Sequence, residues 1–220
     1  MCGSVFFTKE GFATEKLILA SASPRRRELL TLAGIPFQVD VPSVDETCDL
    51  PVDQCVVALS SRKAMAAGTM HPGRFILAAD TLVSADGKKL GKPSDPGEAV
   101  NMLRLLSGRT HQVYTGISVL SPSGEVLSAS DRSDVTFCQI PEAELLAYVD
   151  SGEPMDKAGA YALQGRASLW ITRIEGSYSS VIGLPLYLVR KLLLDSGFPY
   201  FAFDKTDSGS DENEFDAERN

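Results

Sequence analysis

Three consecutive arginines, Arg25 to Arg27, stand shortly after Ser21 and Ser23 near the start of the chain. Ser23 is a typical helix N-cap residue and Pro24 a typical first helical residue, so the spacing predicts arginines in the first turn of a helix. This end of a helix already carries partial positive charge, and each cation there costs about 0.3–1 kcal/mol. A bound anion with several oxygens would offset that cost, whereas a solvated helix end would tolerate it, so this stretch alone leaves both interpretations open.

A carboxylate interrupts the most apolar run of the chain. Residues 75–83 are apolar apart from Asp80 and the threonine after it, which is typical of a strand covered on both faces. A buried carboxylate is costly unless it is paired, protonated or bound to a metal. Because Leu82 resumes the apolar run, we favour a functional Asp80 over the alternative in which the strand ends at Ala79 and Asp80 caps a turn.

Lys63 and Glu46 are candidates on weaker grounds. Helical spacing places Lys63 in the middle of the apolar face of a helix predicted over 51–68. A lysine there must extend to solvent or meet an anion, although a lysine near the end of a helix also complements the helix dipole. Glu46 follows Asp45 in the preceding loop, and such adjacent carboxylates are either solvated or ligands of a hard cation such as Mg²⁺.

Three polar residues later in the chain have less distinctive surroundings. Lys92 lies in a Gly-Lys-Pro turn at 91–93, and His111 lies near the start of a predicted strand, where we expect a structural role. Gln164 lies in a segment, 152–165, whose three glycines permit close backbone approach. Its amide could read a nucleobase edge, since it both donates and accepts, or the segment could be only a compact loop.

Strands that alternate with helices must position these residues. Apolar runs and alternation predict strands over 17–20, 37–40, 75–83, 111–120, 126–137 and 168–174. Helical spacing and capping residues predict helices over 24–33, 51–68, 95–106, 141–151 and 184–196. A turn is expected over 175–180. A hairpin between 111–120 and 126–137 makes the sheet mixed, so the predicted fold class is α/β.

Length and charge restrict the architecture and the partners. The 220 residues allow one large domain, or one domain with two lobes, which we place at 16–200. Segment 204–220 holds seven acidic and two basic residues and so carries −5 of the net charge of −8. The rest is near neutral, so we expect no long nucleic acid as partner. We expect 1–15 to be an N-terminal extension without a secretory signal and 201–220 to be a disordered acidic tail.

Cysteine usage and hydropathy indicate the compartment. The four cysteines form no C-x-x-C pair and only two histidines are present, which argues against a zinc site. Free thiols fit a reducing compartment, so we expect a cytoplasmic protein. No apolar run approaches the roughly 18 residues of a membrane helix, so no membrane association is expected.

The short motifs also form one longer pattern. They are Ser21-x-Ser23-x-Arg25-Arg26-x-x-Leu29-Leu30, Ala78-Ala79-Asp80-Thr81, Gly91-Lys92-Pro93, Leu106-Ser107-Gly108-Arg109-x-His111, Asp156-Lys157-Ala158-Gly159-Ala160-Tyr161-x-x-Gln164-Gly165, Glu175-Gly176-Ser177-Tyr178 and Gly183-Leu184-Pro185-Leu186. In this order, over 16–196, they resemble the Maf family of nucleoside triphosphate pyrophosphatases. Several motifs in register are far more specific than any one of them.

The resemblance implies a fold and a reaction. The implied fold is a two-lobed, mixed-sheet α/β fold with a central cleft, related to the inosine triphosphate pyrophosphatases. The implied reaction is hydrolysis of a nucleoside triphosphate to the monophosphate and pyrophosphate with a divalent cation, magnesium or manganese. The Gly-Ala-Tyr-x-x-Gln-Gly form resembles the subgroup that acts on dTTP and UTP, and modified pyrimidine nucleotides are further plausible substrates. A homodimer is also implied.

Roles for single residues follow from the same resemblance. Asp80 matches the family's proton acceptor. The specificity positions match Arg25, Thr81 and Gln164. Phosphate and metal roles match Ser21, Arg26, Glu46, Lys63 and Lys92, with Glu46 and Asp80 as the expected metal ligands. Arg27 is followed by Glu28 and is expected to be an ordinary surface cation.

Two rival functions are compatible with the sequence. One is a non-catalytic nucleotide-binding regulator linked to cell division, which would use the same cleft. The other is a pyrophosphatase with another base preference, such as 7-methyl-GTP. The presence of Asp80, Glu46 and Lys92 argues against an inactive site.

Overall fold

A mixed sheet forms the centre of the computed structural model, which describes residues 16–199. Its seven strands are β1 (Leu17–Leu19), β2 (Phe37–Val39), β3 (Ile76–Ala85), β4 (Lys88–Leu90), β5 (Thr110–Leu120), β6 (Val126–Phe137) and β7 (Ile171–Glu175). The predicted N-terminal extension at 1–15 and the predicted acidic tail at 201–220 lie outside the described residues.

The strand order is β2-β1-β3-β5-β6-β7, and β4 pairs with β3. β1 runs parallel to β2 and β3, whereas β3, β5, β6 and β7 pair antiparallel in that order. The predicted hairpin between β5 and β6 is confirmed. The β3–β4 hairpin turns at Asp86 and Gly87, which both have positive φ, of 49° and 73°, as a tight primed turn requires. The mixed α/β class predicted from the sequence is therefore confirmed.

Helices flank this sheet. Within residues 16–199 they are α1 (Pro24–Leu32), α2 (Val52–Met70), α3 (Pro96–Leu106), α4 (Glu142–Asp150), α5 (Tyr178–Ile182) and α6 (Leu186–Asp195). The predicted apolar face of α3 is buried, and Asp95 caps its start by accepting a hydrogen bond from the Glu98 N–H at 2.8 Å. Three short 3₁₀ helices, at Glu153–Asp156, Ala158–Ala160 and Arg166–Trp170, connect α4 to β7.

Two predictions for the C-terminal part of the chain, at 168–174 and 175–180, are wrong. The strand predicted over 168–174 begins only at Ile171, because the N–H and hydroxyl of Ser168 both donate to the Gly165 carbonyl and close a 3₁₀ turn. The turn predicted over 175–180 gives way to α5, which Ser177 caps by accepting from the Ser180 N–H. A five-residue helix is too short to show a hydrophobic period.

Two main hydrophobic clusters give the fold its two lobes. The first lobe packs α1 and α6 against the sheet around Leu30, Leu77 and Leu184. The second packs α3, α4 and the 3₁₀ segments around Leu103, Phe137 and Trp170. β3 and β5 contribute to both clusters, so the boundary between the lobes crosses the middle of these strands. No helix among residues 16–199 is long and apolar enough to cross a membrane.

Candidate active site

Asp80 lies inside β3, where that strand passes from the first lobe to the second. The strand continues to Ala85, so the alternative in which it ends at Ala79 is wrong. The Asp80 side chain is 12% exposed, and the ammonium of Lys63 donates to its Oδ1 at 2.6 Å. Pairing of this kind offsets part of the cost of a buried carboxylate. The described residues place no hydrogen-bond donor on Oδ2, so this oxygen can accept a proton from a water molecule.

Lys63 connects two carboxylates. Its side chain is 14% exposed, and its Nζ lies 2.6 Å from Asp80 Oδ1 and 2.8 Å from Glu46 Oε1. The hydrogen bond from Lys63 lowers the pKa of Glu46 below its usual value, which keeps that carboxylate ionised. Of the outcomes predicted for Lys63, the structure therefore shows the one in which the ammonium meets an anion.

A glycine allows α2 to bring Lys63 to Asp80. Gly116 of β5 lies opposite Asp80 in the sheet, and a Cβ atom at this position would lie 2.4 Å from the backbone carbonyl of Val56. α2 can lie this close to the sheet only because residue 116 has no side chain. Lys63 follows Val56 by about two helical turns and so extends over the carboxylate.

Arg26 is bound to the protein itself. Its Nε donates to the Gly183 carbonyl at 2.8 Å, and its two terminal nitrogens donate to Ser21 Oγ, the Ala79 carbonyl and Thr81 Oγ1 at 2.8–3.0 Å. Burial lowers the pKa of Arg26, but the nearby charge of Asp80 opposes this effect. Arg26 thus uses four of its five guanidinium N–H donors. These hydrogen bonds connect residues that follow β1 and α5 to residues of β3. Arg26 lines the cleft, yet most of its hydrogen-bonding capacity is already used.

The other two arginines of the run separate as predicted. Arg25 is partly buried and lines the cleft, whereas Arg27 is exposed and lies outside it. Ser23 does occupy the N-cap position of α1, but its side chain makes no capping hydrogen bond. The first backbone N–H groups of the helix therefore stay available to an anion in the cleft.

A cavity of about 640 Å³ lies between the lobes. Eight of the nine residues predicted to form the site line it, namely Ser21, Arg25, Arg26, Glu46, Lys63, Asp80, Thr81 and Lys92. Gln164 is exposed and is not among the lining residues, although its neighbour Leu163 is. Two lining residues that sequence reasoning did not single out, Lys157 and Tyr161, belong to the Asp156-Lys157-Ala158-Gly159-Ala160-Tyr161 motif.

The carboxylates in the cavity fit the predicted divalent cation. Glu46 and Asp80 present hard oxygen ligands in the same cavity, and Lys63 holds each of these carboxylates through one oxygen. Mg²⁺ is commonly bound by one or two carboxylates together with substrate phosphates. Residues 16–199 contain no group of three or more His, Cys, Asp or Glu side chains that could hold a metal without such help.

His111 packs against Tyr161, one of the residues that line the cavity. It is fully buried, and its Nε2 lies 2.8 Å from the hydroxyl of Tyr161, whose ring packs edge-on against His111 and Phe137. Burial lowers the pKa of His111 to about 4, so the imidazole is neutral at physiological pH. These contacts favour the structural role expected for this residue.

Known proteins are similar to this chain over 56–85% of its length. It is 46% identical over 188 residues to a dTTP/UTP pyrophosphatase of Bacillus cereus, covering 84% of this chain and 92% of that protein. It is 48% identical over 190 residues to a dTTP/UTP pyrophosphatase of Symbiobacterium thermophilum, covering 85% and 97%. Among solved structures, the Staphylococcus aureus Ham1 protein matches 56% of this chain and 72% of its own, with a TM-score of 0.40 and 15% identity.

The family model for Maf-like protein matches residues 16–196, the same span over which the sequence motifs showed their resemblance. Its start coincides with the first described residue, ahead of β1, and its end follows α6 directly. The cleft, with its arginines, Lys63 and Asp80, therefore lies entirely within the matched region. The chain belongs to the Maf family.

Proposed function

We propose that this protein hydrolyses dTTP and UTP to the nucleoside monophosphate and pyrophosphate, and so removes these nucleotides, or modified pyrimidine nucleotides, from the cellular pool. The relatives named dTTP/UTP pyrophosphatase support the substrate and the reaction. The observation that carries the proposal is the nearly buried Asp80 carboxylate in a cleft lined by cations, with one oxygen held by Lys63 and the other open.

The chemistry follows from these positions. Water attacks the α-phosphorus while Asp80 accepts its proton through Oδ2, which makes the water nucleophilic as the bond forms. Lys63 orients the carboxylate through Oδ1. Cations in the cleft, and the backbone N–H groups at the start of α1, neutralise the charge that develops on the phosphate oxygens. Pyrophosphate is a good leaving group, so no covalent enzyme intermediate is needed.

We further propose that magnesium or manganese binds with the substrate at Glu46 and at Asp80, through a lone pair of the Asp80 carboxylate that neither Lys63 nor the attacking water uses. A divalent cation bound there would withdraw charge from the phosphate oxygens and lower the pKa of a bound water. Lys63 holds the same two carboxylates in place. A homodimer and a cytoplasmic location stay predictions from the sequence.

One assay tests the proposal. The full chain is incubated with a panel of nucleoside triphosphates, including 7-methyl-GTP, plus MgCl₂ or MnCl₂, and pyrophosphate is measured. We expect the highest kcat/KM with dTTP and UTP. A preference for 7-methyl-GTP would overturn the base preference, and no turnover of any nucleotide would favour the non-catalytic regulator. In ¹⁸O-labelled water the label should enter the monophosphate, because label in pyrophosphate would contradict attack at the α-phosphorus.

A further inference from the structure

The cations that line the cleft differ in how far the protein itself already neutralises them. Lys63 contacts two carboxylates, and Arg26 donates four hydrogen bonds to protein acceptors. Neither can turn fully toward a phosphate group without breaking these contacts. The cations left for the substrate are Lys92 and the pair Arg25 and Lys157. Lys92 is exposed and makes no hydrogen bond or ion pair among the described residues, although its charge acts on Glu46.

Lys157 and Arg25 share one carboxylate across the cleft. The Lys157 side chain is 11% exposed, and its Nζ lies 2.5 Å from Asp156 Oδ1 and 2.5 Å from the Glu153 carbonyl oxygen. The other oxygen, Asp156 Oδ2, lies 3.9 Å from Nη1 of Arg25, which belongs to α1 in the first lobe. A single negative charge therefore serves two cations that approach it from opposite lobes.

The position of Asp156 suits an exchangeable counterion. The Asp156 side chain is 63% exposed, so its carboxylate can turn to solvent and be hydrated there, whereas the Lys157 side chain is nearly buried and its ammonium needs an anion nearby. A polyphosphate in the cleft can supply that anion. Its oxygens would replace one exposed carboxylate with several charge-assisted hydrogen bonds.

We propose that Lys157 is a further substrate-binding residue, which takes the phosphate chain, and that Asp156 occupies its ammonium until the substrate arrives. This inference rests on the proposed function only in that the ligand is a polyphosphate. It assigns Asp156 the role of a counterion that competes with the substrate. Removal of that carboxylate should therefore strengthen binding, which a purely structural role would not produce.

The test measures the affinity of the full chain for inorganic tripolyphosphate by calorimetry at low ionic strength, without metal and without turnover. We expect Lys157→Met to raise Kd at least tenfold, and the exposed control Lys88→Met to leave it within twofold of the unsubstituted protein. Lys157→Arg should restore most of the affinity because it keeps the charge. Asp156→Asn should lower Kd two- to fivefold, while Asp150→Asn at the end of α4 should not change it.

The outcomes separate this inference from the proposed function. If Lys157→Met binds tripolyphosphate like the unsubstituted protein, or if Asp156→Asn weakens binding, the inference is wrong whatever the enzyme turns over. Should Lys157→Met fail to fold, Asp156→Asn still decides the question. The inference expects this substitution to lower the Kd for tripolyphosphate, whereas a purely structural role for Asp156 predicts an unchanged or higher Kd. Loss of binding in Lys157→Met together with no turnover of any nucleotide by the unsubstituted protein would overturn only the proposed function.

Discussion

The cavity has two walls whose polar groups are satisfied in different ways. We call the wall built from β1, α1, α2 and β3 the first wall, and the wall built from 156–163 the second wall. On the first wall Lys63 binds two carboxylates and Arg26 binds four protein acceptors. On the second wall Lys157 lies between two short 3₁₀ helices and Tyr161 follows the second of them, and the carboxylate that neutralises Lys157 is largely exposed.

This difference separates chemistry from recognition. Groups that must hold a water and a phosphorus atom in reacting geometry benefit from being fixed before the substrate binds, since no reorganisation is then needed during the reaction. Groups that recognise the substrate can exchange one partner for another. Substitutions of the fixed groups of the first wall, Asp80, Lys63 and Arg26, should therefore reduce kcat strongly, whereas substitutions on the second wall should change mainly KM or base preference.

The largest effect is expected on the first wall, at Asp80. Asp80→Asn keeps the shape of the side chain but removes the proton acceptor, so we expect kcat to fall by about 10³-fold or more, within the range for general bases. Nucleotide binding should persist, because the cleft loses a negative charge. Steady-state assays with UTP and a direct binding measurement check the two expectations.

Asp53→Asn, in the exposed first turn of α2, is the matched control for that substitution and should leave kcat within twofold. Should Asp80→Asn retain more than a tenth of the activity, Asp80 is not the base and the first wall lacks the assigned chemistry. Loss of nucleotide binding together with activity would instead point to a structural role.

Arg26 tests whether the first wall works as a preformed unit. Arg26→Lys preserves the charge but cannot make the four hydrogen bonds, each of which contributes about 1 kcal/mol. We expect kcat/KM to fall about 100-fold and the free energy of unfolding to fall by about 2–3 kcal/mol, as measured by urea titration. Arg27→Lys, one residue further along α1 and exposed, should change neither quantity. Equal effects of the two substitutions would contradict the division of the arginine run.

The first wall was largely predictable from the sequence, and the reasons are local. Asp80 inside an apolar run and Lys63 on an apolar helix face violate simple patterning, and each violation indicates a polar partner that the fold must supply. In the structure, Lys63 is the partner of Asp80 and Asp80 is the partner of Lys63. The partners of Arg26 were not predictable, because they come from residues as distant as Gly183, which only the tertiary fold brings near.

The second wall was less predictable because its sequence carries no local signal of this kind. Its 3₁₀ turns have no hydrophobic period, and Lys157 follows Asp156 directly, so the two charges resemble an ordinary surface pair. Burial of Lys157 depends on how 153–163 folds over the sheet. The motif itself was visible, but the sequence showed which segment mattered without showing which side chain faces the cleft.

Gln164 tests recognition beside the second wall, with a smaller expected effect. The family resemblance assigns it to base specificity, although its side chain is exposed and lies outside the cavity. We expect Gln164→Ala to reduce the preference for UTP over CTP by up to about tenfold, the size of one hydrogen bond to a base edge, with kcat for UTP little changed. The measurement is kcat/KM for both nucleotides, with the exposed Gln54→Ala as control. An unchanged ratio would remove Gln164 from base recognition.

The smallest effect on activity is expected at His111, which anchors the second wall through Tyr161. In the folded protein the pKa of His111 is about 4 because burial favours the neutral ring, only partly opposed by the charge of Asp134, whereas an unfolded chain takes up the proton near pH 6.5. The unfolded state therefore binds more protons as the pH falls from 6.5 toward 4, and this residue alone should reduce the free energy of unfolding by up to about 3 kcal/mol over that interval.

His111→Gln keeps a hydrogen-bonding group but does not titrate, so its stability should depend less on pH over the same interval, while its activity at pH 7.5 stays within about threefold. Urea titrations of both proteins at pH 7.5, 6 and 5 measure the difference, and identical slopes would mean that His111 contributes nothing to the acid sensitivity of the second wall.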